Sequence, residues 1–181
     1  ELMAEGVRAV LDNERVERAM FVGHSMGGYV SLAFAESYSD RVSGLVLFSS
    51  TCFEDTPERK SDRDRAIKAA DAHKMKFITS VIPNLFFERS GSKASKRIFK
   101  MVKIASKQPK EGIIAAIAGM RERADRSDSI KTAKFPLLFL TGSDDMLIPL
   151  ERVQEMHRIQ PKAEITVLDA CGHLGFIEQK E

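Results

Sequence analysis

Gly23-His24-Ser25-Met26-Gly27-Gly28 stands at the seam between two hydrophobic patterns. Ahead of it, Ala19-Met20-Phe21-Val22 is a short unbroken apolar run of the kind that makes a buried strand. Behind it, Val30, Ala33 and Phe34 fall at helical spacing, which carries a helix from Met26 to about Tyr38. A strand must therefore become a helix within a few residues, with Ser25 on the turn. Such a turn is strained, and the small residues Gly23, Gly27 and Gly28 let backbone pass close by. The serine hydroxyl is lifted clear of the sheet. The new helix aims unpaired N–H groups and the positive end of its dipole at the same spot. The Met26 N–H is the natural first donor for a developing oxyanion there. The plainer alternative for Ser25 is an ordinary helix N-cap.

The same alternation continues along the chain. Leu2, Met3, Val7, Val10 and Leu11 form an amphipathic helical stripe before the first strand. Gly44-Leu45-Val46-Leu47-Phe48 is a second strand, and Phe135-Pro136-Leu137-Leu138-Phe139-Leu140 a third, with Pro136 removing one ladder bond at its start. A helix from Leu150 to about Ile159 precedes the strand Glu164-Ile165-Thr166-Val167-Leu168. Strands alternating with helices give βαβ units and a parallel sheet, an α/β fold. Residues 53–133 interrupt this pattern and read as all helix, starting at Asp55-Thr56-Pro57. The expected organisation is an α/β core of residues 1–52 and 134–181 with a helical cap of residues 53–133 inserted. Within the cap, Ile98, Met101, Val102 and Ala105 form an inner face, which Ile104 does not fit. Ile113, Ile117 and Met120 form another apolar stripe, read as cap core.

A composition of 43% hydrophobic and 30% charged residues sets disordered and collagenous classes aside. No apolar run reaches the roughly 18 residues that span a bilayer. The formal net charge is +2, yet the segment from Asp55 to Lys131 holds 19 basic and 10 acidic residues. Lys93, Lys96, Arg97, Lys100, Lys103 and Lys107 share one helical face. It is read as the solvated side of a cap helix, so neither nucleic acid nor membrane is an expected partner. Cys52 and Cys171 supply neither a disulfide framework nor a zinc site, and are read as buried, inert thiols. A reducing, cytoplasmic setting is the expectation. The start at Glu1-Leu2-Met3-Ala4 has no signal-peptide pattern and no initiator Met, which reads as a trimmed chain or a piece of a longer one. Oligomeric state is not legible.

A serine at its free pKa is a weak nucleophile and needs a base oriented by an acid. Asp144 and Asp145 follow the third strand, and His173 follows the fourth. Catalytic groups of open α/β sheets gather at the carboxyl ends of strands. The three residue types therefore converge on one rim. His24 adjoins the serine but diverges from it, which suits a pocket wall better than catalysis. No metal or organic cofactor is implied.

Gly23-His24-Ser25-Met26-Gly27-Gly28, the loop Gly142-x-x-Asp145-x-x-x-Pro149, and Gly172-His173 with Glu178 five residues on together resemble the α/β-hydrolase fold superfamily. The resemblance is to its capped branch of small-molecule serine hydrolases, whose caps lie over the nucleophile, which implies a pocket roof as the alternative reading of Ile113, Ile117 and Met120. It implies Ser25 as nucleophile, His173 as base and Asp145 as acid, since Asp145 rather than Asp144 fits the Gly-x-x-Asp spacing. It also implies that the four strands are the C-terminal half of a larger parallel sheet. Upstream strands would complete it, and a loop among them, often containing His-Gly, would supply the second oxyanion donor. The implied activity is hydrolysis of small carboxylic esters or lactones. A serine at the elbow argues against haloalkane dehalogenase or epoxide hydrolase chemistry. Carbon–carbon bond hydrolysis and cofactor-free haloperoxidase activity share the triad and stay open. The alternative from another class is a ligand receptor on the same scaffold with little or no turnover.

Overall fold

The computed structural model describes residues 1–87 and 92–179, with the side chains of residues 92 and 93 outside the description, so Lys93 of the basic stripe is not placed. Helix α1 (Leu2–Asn13) leads into β1 (Ala19–His24), α2 (Met26–Ser37) and β2 (Val42–Phe48). Five helices follow: α3 (Pro57–Ala72), α4 (Lys74–Val81), α5 (Ser92–Ser106), α6 (Lys110–Arg121) and α7 (Ser127–Lys131). Then come β3 (Leu137–Gly142), α8 (Leu150–Ile159), β4 (Glu164–Leu168) and the short α9 (Gly175–Glu178). The strands form one parallel sheet in chain order, β1-β2-β3-β4. All four expected strands are present, within a few residues of their expected ends.

Leu45 and Leu47 of β2 and Leu137 and Phe139 of β3 point to one face of the sheet. There they meet Leu32 to Ala35 of α2, Ile130 of α7, and Val153 and Met156 of α8. Period-2 alternation on the strands thus meets helical stripes, and each fully buried side chain of this size contributes roughly 1.5–3 kcal/mol. α7 packs against α2 and α8, placing Ile130 in the sheet's own core. β1 forms the edge of the sheet among the described residues, as the half-sheet reading implies. Its exposure departs from the buried strand expected of the apolar run: Met20 and Val22 are 66% and 67% exposed. An unbroken apolar run identifies a strand, but not what covers its second face.

The helices between β2 and β3 have their own core. Ile78, Ile82 and Phe86 collect Ile98, Met101, Val102, Ala105 and Ile113, while Ile104 stays exposed. Lys96, Lys100, Lys103 and Lys107 are exposed and Arg97 is half-buried, with Phe99 standing out among them. At the start of α3 the cap is Thr56, whose hydroxyl accepts from Arg59 N. The neighbouring Asp55 is buried and pairs with Arg63 and Arg123 instead. Arg123 also donates to the Phe53 carbonyl and stacks 4.2 Å over the Tyr29 ring of α2. This clamp ties both ends of the helical excursion to the helix that follows Ser25.

Candidate active site

Ser25 has φ 51° and ψ −119°, a left-handed conformation that costs a non-glycine residue on the order of 1–3 kcal/mol. The surroundings hold it there. Its N–H donates to the Phe48 carbonyl at 2.9 Å, and its own carbonyl accepts from Gly28 N at 2.9 Å and Ser50 Oγ at 2.8 Å. A Cβ on Gly23 would lie 2.6 Å from Gly28 Cα, and one on Gly28 would lie 2.2 Å from Ser50 Oγ. Only glycine fits at either place. Gly27 is different: nothing lies within 4 Å of a Cβ there, so close approach does not explain it among the described residues.

The Ser25 side chain makes no capping bond to α2, which removes the plainer reading of the residue. Its Oγ lies instead 2.8 Å from His173 Nε2, and His173 Nδ1 lies 2.8 Å from Asp145 Oδ2. Contacts spanning 148 and 28 positions of sequence thus meet in one line. His173 and Asp145 are both buried. Asp145 Oδ1 accepts from Leu147 N at 2.9 Å and Ile148 N at 3.0 Å. Burial pushes the Asp145 carboxyl up, but the His173 ring and these two N–H bonds outweigh it and hold its pKa below the usual value. An ionised carboxylate only accepts, so Nδ1 carries the imidazole proton and Nε2 is left to accept from the Ser25 hydroxyl. Asp144, the other carboxylate considered, is exposed and accepts from Ser143 Oγ.

Asp145 and His173 sit on two loops, and backbone joins them. Ser143 N donates to the Leu168 carbonyl and Asp144 N to the Cys171 carbonyl, each at 2.9 Å. Gly142, at the end of β3, lies directly beneath the Cys171 and Gly172 carbonyls.

His24 turns toward His173. Its Nε2–H donates to the His173 carbonyl at 2.7 Å, and its ring packs against His173, Phe48 and Phe176. Burial, reinforced by the adjacent His173 ring, lowers its pKa despite the carbonyl it bonds. A histidine buried neutral loses stability as pH falls below its unfolded value of about 6.5, because the unfolded chain then takes up the proton first. Unfolding free energy, measured in urea between pH 7.5 and 5.5, is expected to fall with pH, and His24→Gln to flatten most of that slope.

Met26 opens α2, so its N–H has no carbonyl within the helix to bond. Ile117 is buried on α6, Met120 is half-buried with its carbonyl accepting from Arg123, and Ile113 joins the second core. That core includes Leu174 and Ile177, close after His173 in the chain. Both cysteines are buried thiols. Burial pushes Cys52 up to about 12, and burial with nearby Glu178, Asp145 and Asp144 pushes Cys171 up to about 11. Among the described residues no cluster of three His, Cys, Asp or Glu side chains is placed to hold a metal ion, and no helix is long and apolar enough to cross a membrane.

Known proteins are similar to this chain as a whole. The profile of the alpha/beta hydrolase fold family matches residues 2–180. The solved structure of a thermophilic esterase from Thermogutta terrifontis, malate bound, superposes with a TM-score of 0.90 at 33% identity, covering 98% of this chain and 66% of that one. The AB hydrolase superfamily protein YisY of Bacillus subtilis strain 168 is 26% identical over 100% of this chain and 69% of its own length. A 2-hydroxy-6-oxononadienedioate/2-hydroxy-6-oxononatrienedioate hydrolase of Paraburkholderia phymatum is 27% identical over 100% of this chain and 65% of its own. The chain thus spans about two thirds of the length of these relatives.

Proposed function

Because the chain belongs to the alpha/beta hydrolase fold family, we propose that it is a serine hydrolase that cleaves small carboxylic esters or lactones by acyl transfer through Ser25. The observation that carries the reading is the imidazole of His173 held between Ser25 Oγ and Asp145 Oδ2, 2.8 Å from each. The esterase from Thermogutta terrifontis, at 33% identity, supports the ester class.

In this reading His173 Nε2 takes the Ser25 proton as Oγ attacks the substrate carbonyl. Asp145 keeps the proton on Nδ1 and stabilises the imidazolium that forms. The charge gathering on the carbonyl oxygen meets the Met26 N–H at the head of α2. The second donor is expected from the upstream loop that the family resemblance implies. The imidazolium then protonates the leaving alkoxide, and an acyl group remains on Ser25. Water deprotonated by the same imidazole attacks the acyl carbon and returns the serine. His24, Ile113, Ile117 and Met120 are proposed to border the substrate, with residues 53–133 acting as its cap.

A fluorophosphonate probe tests this directly. The full-length protein should take up one adduct, located on Ser25 by peptide mass spectrometry, and hydrolyse short-chain p-nitrophenyl esters. No adduct, or an adduct on another residue, would sink the reading.

A further inference from the structure

The hydrogen bonds that hold the base do not come from its own strand. The His173 N–H donates to the Leu85 carbonyl at 2.9 Å, and its carbonyl accepts from His24. Leu85 belongs to a short 3-10 turn (Ile82–Leu85) between α4 and α5, in the helical segment rather than the sheet. A Cβ on Gly172 would lie 2.6 Å from Phe87 N and 2.9 Å from Phe86 C. Backbone of the base loop thus runs against backbone of the segment over the site. Glu178 bridges the two, its Oε1 accepting from Gly172 N at 3.1 Å and its Oε2 from Phe87 N at 2.7 Å. Both oxygens of one carboxylate are spent on two N–H groups from different parts of the fold.

The geometry points to Glu178 as a positioning residue that locks the base loop to the cap segment and so fixes the reach of His173 to Ser25. This deepens the proposed hydrolase reading and rests on it. Three bonds flank the imidazole: Glu178 on Gly172, Leu85 on the His173 N–H, and His24 on the His173 carbonyl. Only the first uses a charged acceptor, and charge-assisted bonds are roughly twice as strong as neutral ones. Leu174 and Ile177, on the same loop and helix, pack into the cap core with Ile78, Ile82 and Phe86. Apolar packing sets how close the two bodies come; the Glu178 carboxylate sets their register. A shift of the base by about 1 Å costs on the order of 100-fold in rate.

The test compares Glu178→Gln and Glu178→Ala with wild type in the full-length protein, below the melting temperature of each. Gln keeps one acceptor oxygen and loses the other, so it should be slower by about 10-fold, and Ala by about 100-fold. The loss should fall on kcat and on fluorophosphonate labelling of Ser25, with KM within about twofold, because the carboxylate faces backbone rather than substrate. Amide hydrogen exchange supplies a readout independent of activity: Gly172 and Phe87 should be protected in wild type and exchange faster in Glu178→Gln. A wild type that takes no probe would overturn both the hydrolase reading and this one. Labelling of wild type with unchanged rates in Glu178→Gln and Glu178→Ala, or a loss confined to melting temperature, would overturn the positioning role alone.

Discussion

Asp145→Asn is expected to lower kcat for ester hydrolysis by about 10⁴-fold while leaving the sheet and the helices above it in place. An asparagine there can keep its carbonyl oxygen where Oδ1 now accepts from Leu147 and Ile148 N–H, so the loop retains its local bonds. Its NH₂ then faces His173 Nδ1, at the position from which Oδ2 now accepts. A donor facing Nδ1 forces the imidazole into the other tautomer, with the proton on Nε2. That nitrogen, 2.8 Å from Ser25 Oγ, would donate to the hydroxyl it must deprotonate. The base becomes useless without moving. The imidazolium of the transition state would also lose its counter-charge in a buried site, where a neighbouring charge counts most. Steady-state kinetics with a p-nitrophenyl ester gives the rate, and ¹⁵N shifts of the His173 ring report the tautomer. A loss under tenfold would mean that this carboxylate does not set the state of the base.

What the sequence made legible is local. The elbow was readable because strand, glycines, serine and helix follow one another without a gap, and all the information lies within Ala19 to Tyr38. Asp145 was separable from Asp144 only through the spacing of the resemblance; in the fold, one carboxylate turns inward to two N–H groups while its neighbour stays exposed. Composition and periodicity hold no trace of that turn. The bonds from His24 to the His173 carbonyl and from Glu178 to Phe87 N join residues 149 and 91 positions apart, and no short-range pattern encodes such a partner. Sequence alone accordingly shows His24 as a wall, and Glu178 as part of a matching motif with no task. The helix start expected at Asp55-Thr56-Pro57 is where α3 begins, with Thr56 as its cap, but no local pattern encodes the pairing of Asp55 with Arg123 from the far end of the helical segment. In sequence Gly27 looks equivalent to Gly23 and Gly28, whereas the crowding that requires glycine is found at the other two.

Gly142→Ala is expected to be the most damaging glycine-to-alanine change among the described residues, because the atoms it would meet cannot rotate away. A Cβ there would sit 2.2 Å from the Cys171 carbonyl oxygen and 2.4 Å from that of Gly172. Both belong to the backbone just ahead of His173, and Asp144 N already holds the Cys171 carbonyl at 2.9 Å. Relief requires the base loop to part from the acid loop by about an ångström, which breaks that bond and lengthens the contact between His173 and Asp145. Overpacking of this kind costs about 3 kcal/mol, which for a chain of this size lowers the melting temperature by roughly 10 °C. Turnover measured well below that temperature should still fall by about 100-fold, since the displaced imidazole no longer lines up with Ser25. Gly119→Ala gives the contrast. It lies within α6 with nothing inside 4 Å of the added carbon, so the same methyl should raise stability by about 0.5–1 kcal/mol through helix propensity alone. Thermal melts and ester kinetics on the two variants separate the explanations. If Gly142→Ala melted and turned over like wild type, the two loops could not be fastened as closely as these contacts require, and the alignment of His173 would have to come from elsewhere.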